Sequence, residues 1–252
     1  MKILVAGYGF VGKAHALALE NPNTKVYVYD PALGYDTLVD NPDAVIVCVS
    51  TPERTGQDNL SCDINNVVDV IERSPNVPIL IKSTISLEGW RTILDLFPQK
   101  SITFSPEFLR AEHAMEDFKN QEEVFIGGGN VGFWASILSM SLGVKVTTKD
   151  PEELILAKYF RNAFLATKVS FFNQIQDLCE ATGVDGKTVR ALVAEDQRIG
   201  YSHTEVTEER GFGGHCFPKD TNAILATARR FGTRLSLIRE AVMYNIILRK
   251  PK

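Results

Sequence analysis

The chain has 252 residues, of which 44% are hydrophobic and 23% charged, with a formal net charge of -4 at pH 7. This composition is typical of a soluble globular protein with room for two domains. The acidic balance argues against nucleic-acid binding, which needs a basic face, and no apolar run is long enough to cross a membrane. The glycine-broken start argues against a signal peptide, and four widely spaced cysteines favour a reducing cytoplasm over a disulfide framework.

The first half of the chain alternates short apolar runs with helical patterns. Strands are predicted at KILVAG, KVYVYD, AVIVCVS, PILIKST, SITFS, EVFIGG and VKVTT. Helices are predicted at FVGKAHALALE, DINNVVDVIER and LEGWRTILDLF. Buried strands that alternate with helices predict a mostly parallel, Rossmann-like α/β sheet over residues 1–150, with right-handed crossovers.

The pattern changes at Pro151. Residues 151–182 form one long helical pattern, with Asp150 as its predicted N-cap. Further helices are predicted at about 185–195, 220–231 and 236–249, and no strand pattern appears again. We therefore predict an all-helical domain over residues 151–252.

A glycine motif, GYGFVG, follows the first predicted strand and opens a helical pattern. Gly7 permits a tight turn, Gly9 lets the backbone approach a pyrophosphate, and Gly12 lets the helix pack close to the strand. Asp30 ends the second strand, where its carboxylate can accept from ribose hydroxyls and repel a 2′-phosphate. This order predicts NAD rather than NADP as the cofactor; the alternative is a structural turn with a surface aspartate.

A single thiol, Cys216, lies in the glycine-rich stretch GFGGHCFPKD, far from any other cysteine. Lys219 and the start of a helix, predicted near Asp220, would favour the thiolate form, and the glycines would leave room for a substrate. Asp220 opposes the thiolate by charge but can serve as a base. The alternative is a buried free cysteine in a loop.

Three further side chains are candidates for the same chemistry. Lys158 and Asn162 are four residues apart on the long helix, so they share a face that can hold an oxyanion. Glu107 follows the strand ITFS, at the sheet edge where α/β folds bind ligands. The alternatives are a solvated helix face for the pair and a helix-capping carboxylate for Glu107.

These motifs together resemble the UDP-glucose/GDP-mannose dehydrogenase family, and its UDP-glucose 6-dehydrogenase branch most closely. The resemblance is carried, in the family's order, by GYGFVG, VCVSTPERTGQDNLS, KSTISLEG, SPEFLRAE, AKYFRN, RIGYSH and GFGGHCFPKD. It implies oxidation of a nucleotide-sugar CH2OH group to a carboxylate, with two NAD+ reduced in succession. It also implies a homodimer built on the long helix that begins at residue 151.

The resemblance also implies roles for individual residues. Cys216 would attack the aldehyde to form a thiohemiacetal and then a thioester, with Lys158 and Asn162 at the oxyanion. Water would be oriented or deprotonated by Glu107, Asp220 and Thr84. The cofactor would be held by Gly7, Gly9, Phe10, Val11, Gly12, Asp30, Ser50, Thr51, Thr84 and Lys219. The substrate would be held by Glu107, Phe108, Leu109, Lys158, Asn162, Arg198 and Gly213, and no residue cluster argues for a metal.

Two departures from the family pattern leave alternatives open. The second acid of the family is replaced by Ala111, and Glu112, one position later, points elsewhere on a helix. The chain ends at Lys252, before the family's third, UDP-holding domain, which implies a short form or a fragment. A two-electron hydroxyacid dehydrogenase and a non-catalytic nucleotide-binding remnant are the alternative readings. Cys216 speaks against the first, because a single hydride transfer needs no thiol, and the joint presence of Lys158, Asn162 and Cys216 speaks against the second.

Overall fold

A computed structural model describes residues 1–53, 62–109, 114–214 and 216–249. These residues divide into two compact units, one formed by the chain up to Lys158 and one by the chain from Tyr159 onward. Among the described residues, no helix is both long and apolar enough to cross a membrane. The assignment of a cofactor-binding domain to residues 1–150 and a dimerisation domain to residues 151–252 stays a prediction.

The first unit is an α/β sheet with helices between its strands. Its strands are β1 (Lys2–Ala6), β2 (Lys25–Tyr29), β3 (Ala44–Val47), β4 (Ile79–Ile81), β5 (Ile102–Phe104), β6 (Glu123–Gly128) and β7 (Lys145–Thr148). Its helices are α1 (Phe10–Leu19), α2 (Asn65–Arg73), α3 (Leu87–Leu96), α4 (Ala114–Asn120) and α5 (Val131–Leu142). All the predicted strands are present, and α1, α2 and α3 lie at the three helical patterns named above, while α4 and α5 follow β5 and β6.

The strand order is β2-β1-β3-β4-β5-β6-β7, and every neighbouring pair is parallel except β5 and β6. This confirms the mostly parallel, Rossmann-like sheet. β3 and β4 are buried along their whole length, as expected when helices cover both faces of a sheet. On one face, Ile3 and Ile46 pack in a core with Trp134 and Leu138 of α5.

The second unit is helical over its described residues. It contains most of α6 (Pro151–Thr182), together with α7 (Gly186–Ala194), α8 (Cys216–Arg230) and α9 (Ser236–Leu248). Asp150 is the predicted N-cap of α6: its Oδ1 accepts from the Glu152 and Glu153 amides at 2.8 and 3.4 Å.

The start of α8 corrects a prediction. The helix begins at Cys216 rather than near Asp220. The glycine-rich stretch was expected to continue as a loop through PKD, to Lys219 and Asp220. Pro218 is within the first turn, however, where an amide N–H has no helical acceptor and its loss carries no penalty. Cys216 is therefore a helical residue and not part of a loop.

Candidate active site

The glycine turn joins β1 to α1, and its three glycines have different surroundings. Gly7 has a φ of +90°, and a Cβ there would lie 2.5 Å from the carbonyl oxygen of Cys48. A Cβ on Gly12 would lie 1.8 Å from the carbonyl oxygen of Gly7, whereas a Cβ on Gly9 would meet no heavy atom within 4 Å. The turn is therefore closed against β3 at Gly7, closed under the helix at Gly12, and open at Gly9, as an approaching pyrophosphate requires.

Asp30 lies beside this turn. It follows the last residue of β2, and its Oδ2 accepts a hydrogen bond from the Tyr8 amide at 2.7 Å. At the end of β2 and next to an open glycine turn, a carboxylate can accept hydrogen bonds from the ribose hydroxyls of a dinucleotide. The arrangement fits NAD. Phe10, which begins α1, is exposed, and Val11 is half-buried.

Thr51, Thr84 and Lys158 come together in the first unit. The Thr51 hydroxyl donates to the Thr84 carbonyl oxygen at 2.6 Å, and the Lys158 ammonium donates to the Thr84 hydroxyl. Thr51 follows β3 and Thr84 follows β4, so both lie at the carboxyl ends of neighbouring parallel strands. Lys158 is buried, which rules out the solvated helix face as its environment. Ser50, the residue before Thr51, is exposed.

Glu107 forms a buried ion pair that the sequence analysis missed. Its Oε2 lies 3.2 Å from Lys82 Nζ, and the two side chains are 9% and 3% exposed. Lys82 also donates to Ser105 Oγ at 3.0 Å and to the Pro106 carbonyl oxygen at 3.4 Å. The Phe108 amide donates to Glu107 Oε1 at 2.9 Å. A signal was available, because Lys82 directly follows the buried strand β4.

Burial and the Lys82 charge shift the pKa values of Glu107 and His15, which form a cluster with Lys82. Burial, the largest single effect, would raise the pKa of Glu107, but the charge and hydrogen bond of Lys82, together with His15 and the Phe108 amide, outweigh burial and hold that pKa below its usual range. Burial and the same ammonium lower the pKa of His15 to about 4. Its Nδ1 is 3.0 Å from the Val11 carbonyl oxygen, which can only accept, so Nδ1 carries the proton. At neutral pH the cluster is thus a charged pair beside a neutral imidazole.

In the second unit, Asp220 is tied to two predicted site residues. Its Oδ2 accepts from Asn162 Nδ2 at 2.6 Å, and its Oδ1 accepts from Lys219 Nζ at 2.8 Å. The Asp220 side chain is 1% exposed, so both bonds are shielded from water. Lys219, predicted at the cofactor, is thus paired with its neighbour Asp220. Asn162 thus links α6 to α8.

Cys216 is the exposed thiol among the four cysteines, and it is the first residue of α8. This excludes the buried loop cysteine considered from the sequence. Asp220 follows four residues later, so the thiol and the buried carboxylate lie one helical turn apart on one side of α8. Cys62 and Cys179 are buried, and burial raises the pKa of the half-buried Cys48 to about 12.

The glycines before Cys216 differ from the expectation. A Cβ on Gly211 would lie 2.2 Å from Asn245 Oδ1, and one on Gly213 would lie 2.1 Å from the Arg249 guanidinium. The room predicted for a substrate beside these two positions is therefore taken by side chains from α9 and its C-cap, and of the three glycines only Gly214 faces open space.

The other predicted substrate contacts are Arg198, Phe108 and Leu109. The Arg198 side chain is 89% exposed and forms an ion pair with Asp196 two residues earlier. Phe108 and Leu109 are half-buried next to Glu107. Ala111 and Glu112, the positions of the missing second acid, lie outside the described residues.

Comparison with known proteins decides the family. Residues 32–139 match the NAD binding domain of the UDP-glucose/GDP-mannose dehydrogenase family, and residues 152–246 match its central domain. The chain belongs to this family. The family's N-terminal domain binds NAD, in agreement with the glycine turn and Asp30. The match starts after that turn, so the two observations are independent.

Relatives and solved structures agree with this assignment. The chain is 35% identical over 203 residues to UDP-glucose 6-dehydrogenase of Rickettsia conorii, covering 75% of this chain and 46% of the relative. It is 34% identical over 229 residues to UDP-glucose 6-dehydrogenase of Rhizobium meliloti, covering 83% and 51%. A UDP-glucose dehydrogenase structure from Pyrobaculum islandicum superposes with a TM-score of 0.82 at 26% identity, covering 98% of this chain and 68% of that one. The chain spans about half the length of these curated relatives.

Proposed function

We propose that this chain oxidises the primary alcohol of a nucleotide sugar, of the UDP-glucose type, to the carboxylate through a covalent intermediate on Cys216. The observation that carries the proposal is the arrangement on α8. An exposed thiol opens this helix, and one turn later a buried carboxylate is bonded to Asn162. An amide, a thiol and a carboxylate are the groups that thiol capture and hydrolysis of an aldehyde require.

The cofactor supplies the electron acceptor. When bound, NAD+ takes up the hydride that the substrate carbon releases. The backbone at Gly9 and the Asp30 carboxylate would hold its pyrophosphate and ribose, and Ser50, Thr51, Thr84 and Lys219 are further proposed contacts. Asp30 would exclude a 2′-phosphate by charge repulsion, which favours NAD+ over NADP+.

The first oxidation converts the alcohol to an aldehyde. The carbon loses a hydride and its oxygen loses a proton, so a cation and hydrogen-bond donors must stabilise the developing negative oxygen. Lys158 and Asn162 are the proposed donors, one turn apart on α6. Both are already oriented by neighbours, Lys158 by Thr84 and Asn162 by Asp220.

The second oxidation passes through sulfur. The Cys216 thiolate forms a bond to the aldehyde carbon, and the carbonyl oxygen takes a proton to give a thiohemiacetal. Loss of that proton and of a second hydride gives a thioester. Water then attacks the acyl carbon, the carbon–sulfur bond breaks, and the carboxylate leaves while the thiol is regenerated. For each acid formed, two NAD+ and one water are consumed, and two NADH and three protons, which pass to solvent, are released.

Glu107 is proposed to orient the hydrolytic water. The Lys82 ion pair keeps its pKa low, which makes Glu107 a weak base but a permanent hydrogen-bond acceptor. Asp220 and Thr84 are the other proposed contacts of that water. Phe108, Leu109 and Arg198 are proposed to bind the sugar nucleotide, and Gly213 is proposed to do so through its backbone groups, because Arg249 fills the space beside its Cα.

The exposed face of α6 supports the proposed homodimer. Phe160, Phe164, Phe171 and Leu178 are exposed apolar side chains at spacings of four and seven residues, so they form one stripe along the helix. A two-fold axis across this stripe would bury it against its own copy.

A panel of nucleotide sugars with NAD+ tests the proposal. UDP-glucose or a close analogue should give acid, with two NADH formed for each acid, and NADP+ should be a poor substitute. One NADH per product and no acid would favour the two-electron hydroxyacid dehydrogenase, which needs no thiol. NAD+ binding without turnover of any sugar would favour the non-catalytic remnant.

A further inference from the structure

The segment that leads into Cys216 is held by polar side chains from two helices. Arg210 and Gly211 have φ values of +56° and +61°, which turn the backbone sharply before α8. The Gly211 amide donates to Asn173 Oδ1 of α6 at 3.1 Å. One residue later, the backbone of Phe212 is bonded to Asn245 of α9.

Asn245 bonds both backbone groups of Phe212. The Phe212 amide donates to Asn245 Oδ1 at 2.7 Å, and Asn245 Nδ2 donates to the Phe212 carbonyl oxygen at 3.0 Å. Asn245 is 8% exposed, so water does not readily replace these bonds. Only a primary amide offers an acceptor and a donor side by side in this way, and neither aspartate nor leucine satisfies both groups.

Arg210 attaches the same segment to α6. Its guanidinium donates to Asn173 Oδ1 at 2.8 Å and to the Asn173 carbonyl oxygen at 3.2 Å, and it pairs with Asp177. The Tyr244 hydroxyl donates to the other oxygen of Asp177, which joins α9 to this network. These bonds of Asn173, Arg210 and Asn245 fix three consecutive residues before α8, from Arg210 to Phe212.

Ring contacts connect this segment to Phe217, the residue next to Cys216. Phe217 lies on the same helical turn as Cys216. Its ring centroid is 6.4 Å from that of Phe212 and 5.7 Å from that of His203. Phe212 is buried, so its backbone bonds and its ring are fixed together. A shift of Phe212 therefore moves the first turn of α8.

We propose that Asn245 is a positioning residue for Cys216, acting through Phe212 and the first turn of α8. The inference rests on the proposed function in one respect, the role of Cys216 as the nucleophile. Without Asn245, the thiol is no longer held where the aldehyde forms. The first oxidation does not need the thiol and continues, so aldehyde escapes instead of being captured.

The test compares Asn245→Ala with Glu240→Ala, an exposed position on the same helix. Amide hydrogen exchange is measured at Phe212, and at Asp220 and Thr221, whose amides are the first to have helical acceptors in α8. Asn245→Ala should speed exchange at all three amides by about tenfold, the effect of losing one or two buried hydrogen bonds. Glu240→Ala should leave all three unchanged. Acceleration at Phe212 alone, or at none, would overturn the proposal.

A second measurement reads the products. Hydroxylamine traps any aldehyde released during oxidation of the nucleotide sugar. The ratio of trapped aldehyde to acid should rise about tenfold in Asn245→Ala, since loss of orientation acts on capture, while KM changes little. An unchanged ratio in a folded variant would contradict the role of Asn245. If the parent chain forms no acid, the proposed function fails, and the exchange data alone decide the positioning role.

Arg210→Gln provides a second variant in case Asn245→Ala does not fold. It removes the guanidinium bonds to Asn173 and Asp177 but keeps the bonds of Gly211 to Asn173 and of Phe212 to Asn245, so exchange should change in the same direction by a smaller factor. Exchange at Asp220 and Thr221 equal to that of the parent would count against the proposal.

Discussion

Lys82 and Glu107 form a buried ion pair in which each charge depends on the other. We expect Lys82→Met to destabilise the chain by about 3–5 kcal/mol, because it leaves a buried carboxylate without a partner. Adding Glu107→Gln should recover much of that loss, since the orphaned charge is removed. Urea unfolding of both single variants and of the double variant measures this coupling. Strictly additive losses would show that the two side chains do not interact.

The buried His15 should make the stability of the folded chain sensitive to acid. Burial first, and then the Lys82 charge, lower its folded pKa to about 4 from 6.5, and Glu107 opposes them. Below pH 6.5 the unfolded chain takes up a proton that the folded chain does not, so stability is present above that pH and lost as the pH falls towards 4. The expected loss between pH 7.5 and pH 5 is about 2 kcal/mol.

His15→Leu should remove this part of the pH dependence. Urea unfolding at pH 7.5 and pH 5 measures it, and the second value stays above the range where Glu107 titrates. His203→Gln, in the second unit, is the matched control and should keep the slope. A full slope that persists in His15→Leu would place the titrating group elsewhere.

Individual residues differ in how far the sequence predicts them. Gly12 and Asp30 follow from a motif because their partners are backbone groups within one βαβ unit, and Gly7 follows from it because the turn itself requires a positive φ. Lys82 was missed because a lysine at a strand end is normally solvated. The burial of Lys82 depends on Glu107, which follows the neighbouring strand β5 and is 25 residues away from Lys82 in the sequence.

In the glycine turn, substitutions can separate the role of Gly12 in folding from the role of Gly9 in cofactor binding. Gly12→Ala should destabilise the chain by about 3 kcal/mol or more, because its Cβ would collide with the Gly7 carbonyl oxygen. Gly9→Ala should fold like the parent, since a Cβ there meets nothing, but should weaken NADH binding about tenfold by blocking close approach. Thermal unfolding and fluorescence titration with NADH measure the two effects. Equal NADH affinity in folded Gly9→Ala would place the cofactor elsewhere.

At the level of elements, the sheet was predictable and the region before α8 was not. Buried parallel strands are continuous apolar runs, so their signal lies within each segment. The glycines at 211 and 213 suggested open space, but the side chains of Asn245 and Arg249, more than 30 residues later, fill it. Contacts of that sequence separation leave no local pattern.

The whole molecule is expected to be a dimer through the apolar stripe on α6. Sedimentation equilibrium should give twice the mass of one chain. Phe164→Glu should give a monomer, because it places a charge in the middle of the stripe. Met140→Glu, at an exposed position of α5, is the control and should leave the dimer intact. A monomeric parent at working concentrations would remove this prediction.

The central claim is that Cys216 captures the aldehyde, and Cys216→Ser tests it most directly. The variant is compared with Cys62→Ala, which alters a thiol without a proposed role, and hydroxylamine-trapped aldehyde and acid are both counted by mass spectrometry. Cys216→Ser should lose acid formation by at least about a thousandfold, since a hydroxyl is a far weaker nucleophile than a thiolate, and should stop at the aldehyde level. Acid produced by Cys216→Ser at the rate of the parent would contradict the account.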